Sequence, residues 1–234
     1  MIDADWKGLC RLGGVAALIL LLYSIATVII LAGLGAAPAT AAESFAMLQN
    51  NRLGGLLRLD ILTVFVYMPV CYLLYLGIYA ALRRTQGPYA LLGTVLVFAG
   101  ITLFLATPSA LSLTVLSDKY AVAITDAERS QFLAAGEAIL ASDMWHGTGA
   151  FIGGGLLQIG AVFISVVMLQ GKTFGKAIAY TGILTHGLDL AHYFFLLFAP
   201  AIGNLLVPIA GTFYLIWFPL VGLRLFQLGR GPAG

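Results

Sequence analysis

Residues 12–34, LGGVAALILLLYSIATVIILAGL, contain no charged side chain and decide the fold class. A helix that crosses the hydrocarbon core of a bilayer needs about 20 consecutive apolar residues. The whole chain has the same character, because 61% of its 234 residues are hydrophobic, 9% are charged and the mean hydropathy is +0.99. Soluble domains carry about 25% charged residues. The sequence therefore predicts an all-α polytopic integral membrane protein.

Five further apolar segments follow the first one, and together they predict a six-transmembrane-helix bundle. The predicted spans are residues 12–34, 56–82, 89–107, 147–169, 177–199 and 205–226. The short connections leave no room for a separate soluble domain, so residues 1–234 are predicted to form one membrane domain.

The beginning of the chain also has features of a secretory signal peptide. Lys7 and Arg11 precede the apolar run, and residues 36–42, AAPATAA, resemble a small-residue cleavage site. The apolar core of a signal peptide is about 7 to 15 residues long. Residues 12–34 exceed that length and match a full span, so we expect a retained helix.

The basic residues fall mainly on one side of the predicted spans. That side holds Lys7, Arg11, Arg83, Arg84, Lys172, Lys176, Arg224 and Arg230, whereas the other side holds Arg52, Arg58, Lys119 and Arg129. The positive-inside rule therefore predicts that both termini are cytoplasmic. The net charge of +2 is spread over many loops, which excludes the clustered basic face of a nucleic-acid-binding protein.

Two connections carry capping-box spacing on the predicted outer side. Thr40-Ala-Ala-Glu43 favours a short interfacial helix over a flexible loop. Thr125-Asp-Ala-Glu128 predicts an amphipathic helix over residues 126–142. This second helix is expected either to lie over the outer mouth of the bundle or to float on lipid headgroups. The surroundings of Glu137, on the middle turn of the helix, would distinguish the two positions.

The fourth predicted span begins with a stripe of small residues. Gly149-Ala-Phe-Ile-Gly153 has the spacing that lets two membrane helices approach closely. We expect this stripe to pack against a neighbouring span of the same chain, with a membrane protein partner bound through Gly149 and Gly153 as the alternative.

The fifth predicted span carries the polar sequence THGLDLAHYFF at residues 185–195. His186, Asp189 and His192 share about 120° of a helix, a face that can look into a bundle centre. An ionised side chain at the middle of a membrane helix disfavours insertion by roughly 2.5 to 3.5 kcal/mol, so such residues are a functional-site hypothesis by default.

Three other ionisable residues are predicted to lie at a similar depth in the outer half of the bundle: Asp60, Asp143 and His146. Imidazole and carboxylate ligands suit Zn²⁺, and three such ligands leave a position for a reactive water. The preferred ligands are His146 and His192 with Asp60 or Asp189. His186 serves as support, and Asp143 or Asp189 is the predicted catalytic base.

Other uses of the same residues stay open. A haem group could be held by His146 together with His186 or His192. The polar residues could instead form buried hydrogen bonds between helices, for example between Asp60 and His192, and such bonds are common in membrane proteins.

The chain resembles a bacterial six-span family catalogued as domain of unknown function forty-three eighty-six. The resemblance covers residues 11–230 and is carried by Leu59-Asp60-Ile-Leu, Leu82-Arg83-Arg84, Leu116-Ser117-Asp118-Lys-Tyr-Ala, Thr125-Asp126-Ala-Glu128-Arg129, Leu133-Ala-Ala-Gly136-Glu137-Ala, His146-Gly-Thr-Gly, and Gly182-Ile-Leu ahead of Leu188-Asp189-Leu-Ala-His192-Tyr193. It implies six spans in a bacterial inner membrane and implies no activity.

A more distant similarity is to the ceramidase and adiponectin-receptor superfamily of membrane hydrolases, whose zinc is held by three histidines beside Asp and Ser. This chain has one predicted span fewer, a different spacing between His186 and His192, and only Ser142 as a serine candidate. This similarity is a reason to test for zinc, and the first hypothesis for the function is a metal-dependent hydrolase of a membrane lipid or other amphiphile at the outer leaflet. A non-catalytic ligand-binding or structural subunit is the alternative.

Overall fold

The computed structural model describes residues 4–230, and within them the fold is all helical, with no strand. The helices are α1 (Ala4–Leu34), α2 (Ala41–Asn50), α3 (Arg52–Arg58), α4 (Met68–Leu105), α5 (Ala110–Val122), α6 (Asp126–Ala141), α7 (Thr148–Gln170), α8 (Lys176–Phe198) and α9 (Pro200–Arg230). A π-helical turn, Thr63–Tyr67, leads into α4. The predicted all-α class is confirmed.

Four helical stretches are long and apolar enough to cross a membrane: Asp5–Leu34, Thr63–Val122, Thr148–Gln170 and Pro200–Arg230. The helix α8 is not among them, and His186, Asp189 and His192 lie in its middle. These polar residues lower the hydropathy of α8 below that of the four stretches.

The helix α4 is bent back on itself at Gln86, whose backbone is not helical (φ −143°, ψ 41°). Pro88 explains the break, because proline has no N–H to donate and its ring clashes with the carbonyl four residues earlier in a continuous helix. The bend divides α4 into residues 68–85, here called α4a, and residues 87–105, called α4b.

The two halves of α4 form an antiparallel hairpin. The Tyr72 hydroxyl lies 2.6 Å from the Thr102 hydroxyl, and the rings of Tyr72 and Phe98 pack edge to face at 4.8 Å. The bend therefore connects two neighbouring helical segments.

Six helical segments close into a ring in the order α1, α4a, α4b, α7, α8 and α9, with α9 packed against α1. Glycines permit the close approaches. A Cβ on Gly13 would lie 2.8 Å from the Cα of Gly77, where α1 meets α4a. A Cβ on Gly153 would lie 2.8 Å from the carbonyl oxygen of Gly100, where α7 meets α4b. The stripe containing Gly153 is thus used within the chain.

The helices α2, α3, α5 and α6 form a cap with its own small apolar cluster around Phe45, Leu48 and Leu113. The capping box of Thr125 and Glu128 is complete, whereas at Thr40 only the N-cap bond forms, because the Glu43 carboxylate accepts from the N–H of Ala39 instead of that of Thr40. Thr40 accepts a hydrogen bond from the backbone N–H of Glu43 at 3.2 Å, and Thr125 accepts one from Glu128 at 3.2 Å. The helix α5 was not expected within the connection between the third and fourth spans.

Glu137 connects α6 to α2. Its Oε1 accepts a hydrogen bond from the backbone N–H of Ala41 at 2.7 Å, at the N-terminus of α2, where the helix dipole favours a carboxylate. A Cβ on Gly136 would lie 2.6 Å from that of Ala41. The helix α6 is therefore packed against protein rather than floating free.

The predicted start of the second span at residue 56 is wrong. The chain turns at Asp60, which has a left-handed backbone (φ 64°), and the following helical stretch begins at Thr63. Five of the seven residues 56–62 are leucine or isoleucine, so the apolar pattern continues past Arg58 and Asp60, and only the backbone shows the break. Asp60 consequently lies in a turn ahead of the helix.

Basic side chains hold together the end of the bundle opposite the cap. Arg11 donates to the carbonyl of Gly229 at 3.0 Å, and Arg224 donates to the carbonyl of Thr173 at 2.7 Å. Arg83 stacks over the Trp6 ring at 4.0 Å. The basic loops predicted to share one side of a membrane therefore share one end of the fold.

Two glycines of α7 provide a matched test of this packing. A Cβ on Gly153 meets backbone atoms of α4b, whereas one on Gly155 meets nothing within 4 Å. We expect Gly153→Ala to lower the unfolding free energy by about 1–3 kcal/mol and Gly155→Ala to leave it unchanged or raise it. Thermal unfolding of detergent-purified variants measures both. A Gly153→Ala protein that keeps its stability but changes oligomeric state would instead assign this stripe to a partner.

Candidate functional site

A cavity of about 240 Å³ lies inside the ring of helices. Its polar lining comes from Tyr23, Thr63, Tyr67, Gln158, Asp189, His192 and Tyr193, and its apolar lining from Met68, Phe104, Met144, Trp145, Gly154, Leu157 and Val207. The residues come from all six ring segments, from the π-helical turn and from the turn ahead of α7, so the cavity exists only in the folded bundle.

Asp189 presents one carboxylate oxygen to its neighbours and the other to the cavity. Its Oδ2 accepts hydrogen bonds from Nε2 of Gln158 at 2.6 Å and from the hydroxyl of Tyr214 at 3.0 Å. Its Oδ1 has no hydrogen-bond partner among residues 4–230. This oxygen keeps some accessible surface, because it is absent from the atoms that are fully buried and unpaired. The side chain is therefore fixed in position with one acceptor accessible.

His186 lies one helical turn from Asp189 and is sealed from the cavity, with 2% of its surface exposed. Its Nδ1 lies 2.8 Å from Oε1 of Gln158. Because an amide oxygen only accepts, Nδ1 carries the hydrogen, and Nε2 accepts from the Tyr75 hydroxyl at 3.3 Å. Trp217 packs edge-on against the imidazole at 4.8 Å. These contacts describe a neutral imidazole.

Gln158 orders this arrangement by bonding at both ends of its amide. A carboxylate can only accept hydrogen bonds, so the NH₂ group faces Asp189 and the carbonyl faces His186. The buried chain of contacts therefore runs from Tyr75 through His186 and Gln158 to Asp189, and Tyr214 closes it from α9.

His192 lines the cavity one turn beyond Asp189. Its Nδ1 donates to the carbonyl oxygen of Gly203 at 2.9 Å, at the start of α9. The other nitrogen, Nε2, has no partner in the described part of the chain. Next to it, the Tyr193 ring lies against Gly154 so closely that a Cβ there would overlap it. A glycine at that position is what leaves room for the tyrosine.

Asp143 is committed to the turn that begins α7. Its Oδ1 accepts hydrogen bonds from the backbone N–H groups of Trp145 and His146 at 2.8 and 3.0 Å, and it lies 2.9 Å from Nδ1 of His146. The His146 side chain is 68% exposed. This pair therefore has the geometry of a capped turn with an exposed imidazole.

Asp60 lies in a second, smaller cavity of about 110 Å³, which Asp143 and His146 also line. Its Oδ2 accepts a hydrogen bond from the Trp145 indole N–H at 2.9 Å. Burial raises the pKa of Asp60 to about 6. The Trp145 ring borders both cavities, so it forms the partition between them.

The predicted metal ligands are thereby divided into two groups. Asp60, Asp143 and His146 line the smaller cavity, Asp189 and His192 line the central one, and His186 lines neither. Within residues 4–230, no three His, Cys, Asp or Glu side chains lie close enough to hold a metal ion. The residues present therefore do not fit the predicted zinc site.

The haem alternative meets the same difficulty. Both nitrogens of His186 already have partners, and His146 is a surface residue of the turn ahead of α7. Neither can pair with His192 across an enclosed space, so the geometry does not fit a pair of axial ligands.

Sequence patterns missed the residues that hold Asp189 in place. Gln158 is a lone amide in the middle of α7, and this is a signal that could have been followed, because a buried amide needs partners. Tyr75 could not be singled out among the 10 tyrosines of an aromatic-rich chain.

Comparison of the chain with protein-family models, with curated proteins and with solved structures found no match in any of the three. The resemblance to a six-span family stays a prediction. The function must therefore be inferred from the site itself.

The contact between Asp60 and Trp145 predicts a pH-dependent fluorescence change. Below pH 6 the Asp60 carboxyl is protonated, and the indole loses its charged acceptor. We expect tryptophan emission to change with a midpoint near pH 6 and Asp60→Asn to abolish the step. His146→Gln is the control for the imidazole beside Trp145 and should retain the step. A step that disappears in His146→Gln and survives in Asp60→Asn would contradict this assignment.

Proposed function

We propose that this chain is a six-span membrane protein whose central cavity binds a small ligand. The six spans would be α1, α4a, α4b, α7, α8 and α9. The bend at Gln86 supplies two of them from one apolar stretch. The helix α8, with 23 residues, would be about 35 Å long, enough for a hydrocarbon core of about 30 Å.

The charge distribution supports an orientation with the basic end in the cytoplasm. Arg11, Arg83 and Arg224 all lie at the end opposite the cap, and cytoplasmic loops are the ones enriched in Lys and Arg. The cap would then face outward, with the smaller cavity beneath it. The resemblance to a bacterial six-span family supports the inner membrane as the location.

Reporter fusions test this topology. We expect green fluorescent protein joined after Arg230 to fluoresce, and alkaline phosphatase inserted between α5 and α6, at Ile124, to be active, because the enzyme matures only outside the cytoplasm. Ile124 is 91% exposed, so an insertion there disturbs little packing. Active phosphatase fused after Arg230 would reverse the orientation.

The accessible oxygen of Asp189 is the observation that carries the binding proposal. An ionisable group inside a membrane protein disfavours insertion and folding unless it is paired. A purely structural carboxylate would have its hydrogen-bonding capacity satisfied by the protein, whereas Oδ1 is left to the cavity. A side chain fixed by Gln158 and Tyr214, with one free acceptor, has the form of a preorganised binding group.

The geometry favours binding over the predicted hydrolase. Hydrolysis would need a metal-bound water or a nucleophile next to a base, and the described residues offer no metal-ligand group. No serine or cysteine lines the central cavity, and the hydroxyl of Thr63, which does, lies 2.7 Å from the Tyr23 hydroxyl and not beside a base. The ligand-binding alternative from the sequence therefore becomes the proposal.

The variant Asp189→Asn distinguishes a binding role from a structural one. Asparagine keeps the volume and one oxygen that can accept from Gln158 and Tyr214, but it removes the ionisable group. Residues retained for binding often cost stability, and their replacement commonly gains about 0.5–2 kcal/mol. We therefore expect the melting temperature of the ligand-free variant to equal or exceed that of the wild type.

Tyr214→Phe is the matched control, since it keeps the carboxylate and removes one of its donors. It should destabilise the protein by about 1–3 kcal/mol. If Asp189→Asn lowered the melting temperature as much as Tyr214→Phe does, Asp189 would be a structural hydrogen-bonding residue and the proposal would fail.

A further inference from the structure

The central cavity contains a carboxylate but no cationic partner for it. No Lys or Arg lines the cavity. His192 uses its N–H to donate to Gly203, so its cavity-facing nitrogen is an acceptor when the ring is neutral. Both free polar atoms of this pair, Oδ1 of Asp189 and Nε2 of His192, therefore accept hydrogen bonds. A ligand that satisfies them must bring donors.

The remaining walls suit a positive charge. The aromatic side chains of Tyr67, Tyr193, Phe104 and Trp145 line the same cavity, and the faces of such rings attract cations within about 6 Å. Two methionine side chains, Met68 and Met144, complete a soft apolar surface. An anion would meet the Asp189 charge without a compensating cation, so the electrostatics oppose anionic ligands.

The size of the cavity limits the ligand to a small molecule. Sites for drug-sized ligands span about 300–1,000 Å³, and this cavity measures about 240 Å³. A bare metal ion would need several more coordinating atoms than Asp189 and His192 supply. A compact organic cation fits the volume, the acceptors and the aromatic walls together.

We propose that the central cavity binds a small ammonium compound, with Asp189 as its counter-ion, His192 as a second acceptor and the aromatic side chains around its alkyl groups. This assignment rests on the proposed ligand-binding function and names its ligand class. The ammonium group could belong to a free amine or to a lipid headgroup, because both present the same cation.

The test compares choline with 3,3-dimethyl-1-butanol, which has the same shape but carries no charge. Wild-type protein in phosphatidylglycerol nanodiscs is titrated with each compound at constant ionic strength, and tryptophan fluorescence and thermal stability are recorded. Protonated ethanolamine serves as a second cationic probe. We expect saturable binding of at least one cation, and binding of the alcohol at least about tenfold weaker.

Two variants test which carboxylate is responsible for cation binding. Asp189→Asn should weaken cation binding at least about tenfold. Asp118→Asn removes a carboxylate that is paired with Arg52 in the cap, far from the cavity lining, and should bind as the wild type does. Nanodiscs that also contain phosphatidylethanolamine distinguish the sources. If this lipid competes with choline, the natural ligand is a lipid headgroup. If it does not compete, the natural ligand is a free amine.

The outcomes separate this inference from the proposed function. Equal binding of choline and the alcohol, unchanged in Asp189→Asn, would overturn the cation assignment and leave a ligand-binding cavity. Displacement of choline by Zn²⁺ alone at stoichiometric concentration would assign a metal site instead. Absence of binding by both cations would overturn the inference, and the melting temperature of Asp189→Asn would then decide the proposed function independently.

Discussion

The amide of Gln158 is the contact on which the centre of this protein depends. It donates to Asp189 at 2.6 Å and accepts from His186 at 2.8 Å, so one side chain of α7 fixes two residues of α8. A buried amide left without partners would disfavour folding by about 1–3 kcal/mol. The same bridge holds one oxygen of Asp189 and leaves the other free. The structural bond and the proposed binding site are therefore two consequences of one arrangement.

Much of the fold could be predicted from the sequence, because long apolar segments permit few structures in a membrane. The helices at residues 148–170 and 176–198 begin and end within one residue of their predicted bounds. The start of the second span could not be predicted, since the charged residues Arg58 and Asp60 do not by themselves end an apolar run, and only the backbone shows the turn at Asp60. The helix α5 was missed for a similar reason. Its ends are set by Ser109 and by packing in the cap, and hydropathy reports neither.

The candidate site was predictable only in part. Depth along the helices pointed to Asp189 and His192, which do share a cavity. It also grouped them with Asp60 and His146, which line a separate cavity beneath the cap. That separation depends on the turn at Asp60 and on how the cap helices pack, and the sequence contains no direct measure of either. The sequence does not show that Trp145 lines both cavities.

The difference between an accessible Asp189 and a sealed His186 is the central claim, and cysteine accessibility measures it directly. Asp189→Cys and His186→Cys proteins in nanodiscs are treated with methyl methanethiosulfonate, a small neutral reagent, and modification is followed by mass spectrometry. The wild type, whose Cys10 and Cys71 are buried, gives the background. We predict that the cysteine at 189 reacts at least about tenfold faster than the one at 186, because only a thiol exposed to solvent reacts readily. Equal protection of both positions would show a closed hydrogen-bonded core and contradict the claim.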